Sequence, residues 1–378
     1  LLAISFGEAG GEIIKRNISS GTELNPIIKG KKKDAIFGFC DIRNFTDINQ
    51  ALEEKTLIFI NEIAEIVHSA VDRFGGSTKI NIGDVFVMVW KRGNKCNLKN
   101  INYEVQISDS NRINESINVF DQSKYIADQA VLGYLYAIQK INKSVSILNY
   151  NNNSEIQKRL GSDFKVSLGF GLHLGWGIEG AIGSFYKIDA SYLSPNVNIA
   201  ARLMAATKQY KVSILISGVL YERLSKEMQH ICRKIDVVTV KGSDLPLSLY
   251  TIDVNYNPRP GKIKPKMSNK EKNEYLRMKK EEISRSYFKN HSFKKILEGK
   301  KNFKEVLKTR RGKVFYETFS CGLESYIKGN WLLAKEKFED CLYIDETDGP
   351  TMTLLEYIKN RDYICPKDWK GYRKLTSK

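Results

Sequence analysis

Two aspartates, Asp41 and Asp84, stand where a pair of carboxylates could hold divalent metal ions. Asp41 follows the apolar run AIFGFC (35–40), and Asp84 lies in a Gly-Asp turn before the apolar run VFVMVW (85–90). Short apolar runs bounded by turn residues indicate buried strands. Taken singly, either aspartate is more simply a cap or a turn residue. Two carboxylates at neighbouring strand ends, however, favour a site for Mg²⁺ bound to a polyphosphate.

A helical pattern lies between the two aspartates. The segment LIFINEIAEIVHSAV (57–71) places its apolar residues at a 3.6-residue spacing. A long helical pattern follows at 125–148, and glycine-containing strands at 164–183 permit close backbone approaches. The run strand–helix–strand–strand–helix–strand predicts an α+β, ferredoxin-like domain, with a mixed sheet and helices on one face.

A second polar pair, Asn198 and Arg202, lies on a helix predicted over 195–208. Pro195 suits the first turn of that helix, and residues four apart project from one face. The pair could contact a ligand together or be an exposed polar pair. Lys241, in VKG at the end of a predicted strand, is on its chemistry alone an ordinary surface lysine.

Two other features are excluded as sites. Gly175, Gly177 and Gly180 match a dinucleotide fingerprint, but strand follows them where that fingerprint requires a helix. His173 has no His or Cys at ligand spacing and is expected to be a packed core or strand histidine. The six cysteines form no C-x-x-C pair, which fits a reducing compartment and argues against a disulfide frame.

The net charge of +17 is uneven along the chain. Residues 259–313 contain 20 Lys and Arg against six Asp and Glu, and the remainder is near neutral. A solvated linker is the simpler reading of this segment. The alternatives are contact with an anionic membrane surface or salt-dependent nucleic-acid binding, and we expect no specific nucleic-acid partner.

Four regions are predicted. They are a lead-in helix or linker (1–33), a catalytic domain (34–254) with a flexible insertion (93–123), a basic linker (255–313) and a helical region (314–378). The last region resembles one tetratricopeptide-like hairpin, which cannot bury its own apolar face. It must therefore dock on the preceding domain or on a partner. Since the sequence begins with Leu1, we expect a piece of a longer protein.

Residues from about 6 to 254 resemble the catalytic domain of class III nucleotide cyclases, most closely a protist membrane-cyclase branch. The likeness is carried by FGFCDIRNFT (37–46), IGD (82–84) and EGAIGSFYKIDASYLSPNVNIAARL (179–203). The resemblance implies the same fold. It also implies a reaction in which the 3′-hydroxyl of ATP or GTP attacks its own α-phosphate and releases pyrophosphate. Such catalysis is mostly positioning and stabilisation of charge.

The resemblance also implies how the site binds metal and phosphate. Asp41 and Asp84 would hold two Mg²⁺ or Mn²⁺ ions per site, assisted by the backbone carbonyl of Ile42. Phe45 and Thr46 would place backbone N–H groups around the β- and γ-phosphates.

Three further residues acquire roles from the resemblance. Asn198 would orient the ribose, Arg202 would stabilise charge on the α-phosphoryl group, and Lys241 would contact the terminal phosphates. In this family the aspartates and the Asn/Arg helix meet across a dimer interface. A homodimer with two equivalent sites is therefore implied, and a heterodimer with another cyclase chain is the alternative.

The purine-reading positions depart from the family pattern. Members that use ATP usually carry lysine four residues before the second metal aspartate, where this chain has Ile80. Lys79 is one residue earlier, and one step along a strand turns a side chain to the other face. A slip in register would rescue it, but register is strongly specified when one face is buried. The second position, Ser191, resembles the subgroup that uses ATP.

Two functions follow as hypotheses. The first is an active purine nucleotide cyclase, adenylate rather than guanylate, on the cytoplasmic side of a membrane to which upstream segments attach it. The second, motivated by Ile80, is a catalytically impaired regulatory or dimerisation domain. The sequence itself contains no apolar run near the roughly 20 residues that cross a bilayer.

Overall fold

The computed structural model of the chain describes most of its residues. The described ranges are 29–91, 122–184, 187–241, 245–255, 260–261, 268–290, 306–307 and 311–375. The strands are β1 (Lys31–Ile42), β2 (Ser77–Ile82), β3 (Val85–Lys91), β4 (Leu168–Ser184), β5 (Lys187–Leu193), β6 (Ile214–Ser217), β7 (Arg233–Thr239), β8 (Leu247–Thr251) and β9 (Arg373–Lys374). The helices are α1 (Phe45–Leu52), α2 (Thr56–Arg73), α3 (Gln122–Ile141), α4 (Val145–Asn151), α5 (Ser154–Leu160), α6 (Pro195–Gln209), α7 (Gly218–Tyr221), α8 (Lys226–His230), α9 (Asn269–Asn290), α10 (Lys313–Ile327), α11 (Trp331–Ile344) and α12 (Gly349–Lys359).

One mixed sheet contains all nine strands of the described ranges. Its order is β2-β3-β1-β4-β6-β8-β7-β9, and β5 pairs with the overhanging end of β4. Neighbouring strands are antiparallel except for β4–β6 and β7–β9, which are parallel. The predicted α+β class, a mixed sheet with packed helices, is therefore confirmed.

Helices cover both faces of this sheet. In β1, Ile36 and Cys40 belong to the core formed with α2 and α3, whereas Phe37 and Phe39 belong to the core formed with α6. Successive side chains of a strand point to opposite faces, so these two cores lie on opposite sides. The expectation of helices on one face only was wrong. The uninterrupted apolar run in β1 is what a strand buried on both faces requires.

Helix α6 lies directly on β4 at the glycine-rich stretch. A Cβ added to Gly171 would come within 2.3 Å of the Met204 nitrogen and 2.5 Å of the Ala200 carbonyl oxygen. The prediction that glycine permits a close backbone approach here is confirmed. The helix begins at Pro195 as predicted, and the Ser194 side chain accepts a hydrogen bond from the Asn196 N–H. These contacts fix the direction in which the polar residues of α6 face.

The C-terminal helices dock on the same chain. Phe319 and Trp331, from α10 and α11, share one apolar core with Leu203 of α6, with Tyr210, which follows that helix, and with Val238 of β7. Of the two docking surfaces left open by the sequence, the structure therefore selects the chain's own sheet. Strand β9 extends this contact, since it adds to the edge strand β7 and the Leu375 N–H donates to the Thr239 carbonyl oxygen at 2.8 Å.

A buried polar group, which we call the first anchor, joins β9 to α6 and β7. It consists of Arg373, Asp236 and Tyr210. The Arg373 guanidinium donates to Asp236 Oδ2 at 2.9 Å and to the Tyr210 hydroxyl at 2.9 Å. That hydroxyl donates in turn to Asp236 at 2.5 Å. Each of the three side chains therefore has hydrogen-bond partners within the group, as the burial of a charge requires.

A second anchor ties α12 and the segment before α10 to the sheet. Arg233 pairs with Asp253 at 2.9 Å and with Asp348 at 2.8 Å. Arg311 pairs with the same two carboxylates at 2.7 Å and 3.0 Å, and with Asp345 at 2.7 Å. Alternating cations and anions at these distances hold the helical region against β7 and β8.

The predicted basic linker contains a helix, α9, which the sequence reading missed. Ile283 and Tyr287 of this helix are buried, and the centre of the Tyr287 ring lies 4.6 Å from that of the Tyr125 ring on α3. With few apolar residues among many charges, its helical periodicity is weak. The predicted insertion 93–123 lies outside the described residues except for its last two, which belong to α3. Among the described helices, none has the length and hydropathy to cross a bilayer.

Candidate active site

The two predicted metal-binding aspartates lie side by side at one end of the sheet. Asp41 is the penultimate residue of β1, and Asp84 occupies the turn between β2 and β3. The antiparallel register pairs Asp41 with Val85, the residue that follows Asp84. Gly83 adopts a φ of 61° in this turn, a left-handed conformation that favours glycine. The hairpin thus brings Asp84 to Asp41.

Two cationic side chains lie next to Asp41, which is only 4% exposed. Lys208, near the end of α6, places Nζ 2.9 Å from Asp41 Oδ2, and Arg43 places Nη1 3.6 Å from the same oxygen. Burial raises the pKa of the Asp84 carboxyl, and the negative charge of Asp41 adds to that rise. A backbone hydrogen bond and the charge of Lys208 oppose it. We call Asp41, Arg43, Asp84 and Lys208 the cleft cluster.

The cleft cluster fits the metal ions that the sequence predicted. Two adjacent carboxylates repel each other unless a cation compensates them, and Lys208 and Arg43 supply that charge here. The Lys208 side chain is 59% exposed, so it can move into solvent when another cation binds. Within the described ranges no three His, Cys, Asp or Glu side chains group as a metal site. Asp41 and Asp84 are the two carboxylates that would hold a metal here.

The predicted phosphate-binding residues begin the first helix. Ile42 ends β1, Asn44 takes a left-handed φ of 55°, and Phe45 and Thr46 are the first two residues of α1. The first N–H groups of a helix have no partners within it, and they favour anions. The structure thus places these amides a few residues after Asp41, at the start of a helix.

A bulge in β2 changes the register that the sequence predicted. Thr78 pairs with Met88, and Ile80 pairs with Val87, so Lys79 is an extra residue between consecutive partners. In a β-bulge two residues of one strand oppose a single residue of its neighbour. The strict alternation of faces, which had turned Lys79 away from the site, does not hold here.

Lys79, and not Ile80, is the residue that reaches Ser191. The Lys79 ammonium donates to Ser191 Oγ at 3.2 Å and lies 4.9 Å from the centre of the Tyr192 ring. Burial lowers the pKa of Lys79 to about 8, and the negative charge of Glu179 opposes this fall. Ile80 is 44% exposed. Because the bulge absorbs one residue, Lys79 and not Ile80 stands beside Ser191, and the purine-reading role given to Ile80 stays an untested prediction.

Three residues around Lys79 were missed by the sequence reading. The Tyr192 hydroxyl donates to Glu179 Oε1 at 2.6 Å, and Lys91 forms an ion pair with the same oxygen. The β4–β5 register places Glu179 opposite Tyr192. A buried glutamate in an otherwise apolar and glycine-rich strand is the one signal in the sequence that pointed to this group.

The predicted ribose and charge-stabilising residues make no hydrogen bond or ion pair with the aspartates among the described residues. Asn198 is exposed and Arg202 is half-buried, both on α6, and Lys241 is exposed just after β7. Within one chain, no hydrogen bond or ion pair among the described residues joins Asn198 or Arg202 to Asp41 or Asp84. Helix α6, which carries Asn198 and Arg202, places Lys208 beside Asp41 instead.

The two features excluded as sites behave as expected. Gly175, Gly177 and Gly180 all lie within β4, so no helix begins among them. His173 is buried, and its Nε2 lies 3.1 Å from Asn196 Oδ1. Burial lowers the pKa of this histidine, and the Asn196 hydrogen bond opposes the effect.

Comparison with known proteins identifies the class of domain that this fold and cluster define. Residues 29–253 match the family described as adenylate and guanylate cyclase catalytic domain. The match covers more than half of the chain, and the chain belongs to this family. The nucleotide cyclase resemblance seen in the sequence is thereby confirmed.

Two adenylate cyclases are among the relatives of this chain, at low sequence identity. An adenylate cyclase of Anabaena cylindrica is 26% identical over 216 residues, which cover 57% of this chain and 36% of that protein. The terminal-differentiation-specific adenylate cyclase of Dictyostelium discoideum is 20% identical over 216 residues, covering 57% of this chain and 8% of that one. The chain thus spans about a third or less of these relatives.

Two bacterial adenylyl cyclases are among the solved structures that align with this chain. A light-regulated enzyme aligns with a TM-score of 0.44 and 18% identity over 68% of this chain and 59% of that one. The adenylyl cyclase CyaB from P. aeruginosa aligns with a TM-score of 0.42 and 21% identity over 60% of this chain and 96% of that one.

Proposed function

We propose that this domain is an adenylate cyclase, which converts ATP to 3′,5′-cyclic AMP and pyrophosphate. The observation that carries the choice of ATP is the contact between Lys79 and Ser191 at 3.2 Å. An ammonium offers hydrogen-bond donors only. The ring N1 of adenine accepts a hydrogen bond, whereas N1 of guanine carries a hydrogen. The named adenylate cyclases among the relatives support the same choice.

The proposed catalytic groups divide the work of positioning and charge. Asp41 and Asp84 would hold two Mg²⁺ or Mn²⁺ ions, which neutralise phosphate charge and make the 3′-hydroxyl more acidic. Asn198 orients the ribose so that this hydroxyl faces the α-phosphorus. Arg202 stabilises the charge that builds on the α-phosphoryl oxygens, and Lys241 contacts the terminal phosphates.

The start of α1 completes the phosphate site in this proposal. The amides of Phe45 and Thr46 donate to the β- and γ-phosphate oxygens, with the positive end of the helix dipole behind them. The carbonyl oxygen of Ile42 adds to the oxygen ligands of Asp41 and Asp84.

A homodimer is part of the proposal. Among the described residues, no hydrogen bond or ion pair joins Arg202 or Asn198 to the aspartates of the same chain, and in the proposed dimer a second copy would present them to Asp41 and Asp84. The β4–β5 hairpin and β2 support such an interface, since they expose large apolar side chains. These are Ile82, Ile178, Ile182 and Leu193. A heterodimer with another cyclase chain would use the same surface.

The test is cyclic nucleotide production from ATP and GTP in parallel, with Mn²⁺, for the parent and two variants. Lys79→Met should lower the ATP-to-GTP ratio of kcat/KM by roughly tenfold or more, because it removes a donor aimed at the base. Ile80→Met, its matched control, should leave the ratio within about twofold. Loss of selectivity in the control, or its retention in Lys79→Met, would contradict the assignment.

The runner-up function is a regulatory or dimerisation domain without turnover. Its motive was the absence of lysine at position 80, and the contact of Lys79 with Ser191 weighs against it. A parent protein that binds ATP, dimerises and yet forms no cyclic nucleotide would favour this alternative.

Two finer proposals concern the surroundings of the domain. We infer that the helical region is tetratricopeptide-like, since α10 and α11 form a packed hairpin with Gly322 against the Phe338 ring. Attachment to the cytoplasmic side of a membrane, with residues 259–313 contacting anionic lipid, stays a prediction. Deleting 259–313 would then abolish binding to anionic vesicles.

A further inference from the structure

Behind Lys79 lies a buried group formed by Glu179, Tyr192 and Lys91. Glu179 and Tyr192 are 6% and 5% exposed, and the tyrosine hydroxyl donates to the carboxylate at 2.6 Å. Lys91, at the end of β3, forms an ion pair with the same carboxylate oxygen. Since β4 and β5 pair Glu179 directly with Tyr192, the hairpin itself sets this geometry.

The Tyr192 ring connects this buried group to Lys79 and Ser191, the pair proposed to read the base. The Lys79 ammonium lies 4.9 Å from the centre of the Tyr192 ring, within the range of a cation–π interaction. Ser191, the neighbour of Tyr192 in β5, accepts from the same ammonium. Movement of the ring would therefore release one of the two contacts that hold the Lys79 ammonium.

We propose that Glu179 and Tyr192 are positioning residues that set the base selectivity of the site by fixing the Lys79 ammonium. This inference rests on the proposed cyclase function and names the determinant of its substrate choice. The two residues act through Lys79 and not on the base itself.

The physical reason is the freedom of a lysine. Its ammonium sits on a flexible four-carbon stem with three rotatable donors. A free ammonium could donate to N1 of adenine or, after a small movement, to O6 of guanine. An ammonium held by the Tyr192 ring and the Ser191 hydroxyl keeps one direction. The Glu179 carboxylate stabilises the ring through its hydroxyl and, as a nearby negative charge, also favours the charged lysine.

Tyr192→Phe tests the proposal because it keeps the ring and removes the hydroxyl that fixes it. We expect the ATP-to-GTP ratio of kcat/KM to fall roughly five- to tenfold, with a smaller change in kcat for ATP. The matched control is Tyr136→Phe, which deletes a hydroxyl that accepts from Arg73 at 2.7 Å in the layer of α2 and α3. This control should keep the parent ratio.

A second variant guards against loss of folding. Glu179→Met combined with Lys91→Met removes both charges of the buried pair together with the acceptor of the Tyr192 hydroxyl, so no charge is left unpaired. If its melting temperature stays near that of the parent and its selectivity falls as in Tyr192→Phe, the proposal stands. Folded variants with unchanged ratios overturn it.

A binding measurement separates this inference from the function on which it rests. The probes are 3′-deoxyATP and 3′-deoxyGTP, which lack the attacking hydroxyl, titrated by calorimetry. A parent without cyclic nucleotide production whose binding ratio still falls in Tyr192→Phe would overturn the cyclase proposal and support the positioning role. An active parent whose binding and kinetic ratios are both insensitive overturns the positioning role alone. A parent that binds neither probe overturns both.

Discussion

The cleft cluster and the first anchor both combine a buried carboxylate with cationic side chains. They differ in whether the nearest cation is itself buried. In the first anchor, Arg373 and Asp236 are 5% and 0% exposed, and each bonds to the other and to Tyr210. In the cleft cluster, the Asp41 carboxylate is equally buried, but its nearest cation is the largely exposed Lys208. A complete network is typical of a scaffold, whereas a buried carboxylate whose nearest cation is largely exposed supports the proposed role in ligand binding.

This difference has an energetic meaning. A buried pair loses hydration on both partners and gives strong destabilisation when one is removed. An exposed lysine keeps most of its hydration, so its pair with a carboxylate adds little to stability. Substitutions in the cleft cluster should therefore affect activity, and those in the anchor should affect folding.

The largest expected effect is that of Asp41→Asn on turnover. Cyclic AMP production should fall by roughly a thousandfold or more, about 4 kcal/mol in barrier, because one of the two carboxylates proposed to bind metal is gone. The free energy of unfolding should change by less than about 1 kcal/mol, since repulsion from Asp84 is relieved. Activity assays and urea denaturation check the two halves. A strongly destabilised variant would break the comparison.

Arg373→Met should do the reverse. It leaves Asp236 buried without its cation, which we expect to cost about 3 to 5 kcal/mol and to loosen the C-terminal helices. Urea denaturation and the rate of trypsin cleavage within 313–375 measure the effect. Lys374→Met, at the exposed neighbouring position of β9, is the matched control and should behave as the parent. Equal effects in both variants would contradict the role of the anchor.

Substitution of Asp128 tests how the burial of a single carboxyl affects the free energy of unfolding and its pH dependence. Asp128 is fully buried on α3, accepts from the Ser225 N–H at 2.9 Å, and burial raises its pKa to about 7. A folded-state pKa above the unfolded value gives stability that is present at acid pH and lost as the pH rises through about 7. Asp128→Asn should therefore stabilise the protein at pH 8, by at most about 4 kcal/mol, and by less at pH 5.

Urea denaturation at the two pH values checks this expectation. Asp72→Asn is the control, because Asp72 is exposed and pairs with Lys280 on the surface. An equal gain at pH 5 and pH 8 in Asp128→Asn would show that the titration of this carboxyl is not the cause.

The smallest effect is expected for Lys208→Met. Removing the cation that lies beside Asp41 should tighten Mn²⁺ binding by about threefold at low salt, and by less at high salt, because the lysine is exposed and screened. Titration of free Mn²⁺ by electron paramagnetic resonance measures this without turnover. Lys226→Met, an exposed lysine on α8, should leave the affinity unchanged. Weaker Mn²⁺ binding in Lys208→Met would mean that the lysine supports the site.

The sequence predicted those features that depend on local pattern. The apolar runs before Asp41 and after Asp84 gave the strands, Pro195 gave the start of α6, and the glycines of β4 gave the close approach of that helix. Each of these is set by neighbours in the chain, so residue type and spacing are enough to predict them.

The features that were missed depend on partners distant in the sequence. The bulge at Lys79 exists only in relation to β3, so the alternation rule applied to β2 alone did not place Lys79 beside Ser191. Glu179 meets Lys91 from another strand, and Lys208 meets Asp41 from a helix that follows much later. Docking of the helical region likewise depends on the apolar surface of β7 and α6, which no local pattern describes.

The position of β9 in the chain has a consequence for synthesis. About 120 residues separate the end of β8 at Thr251 from β9 at Arg373. At a translation rate of roughly 5 to 20 residues per second, the ribosome needs on the order of 6 to 24 s to make them. During that interval β7 is an open edge strand able to pair with another chain. The nascent protein would therefore be most exposed to aggregation then, and a chaperone bound to β7 would act during this interval.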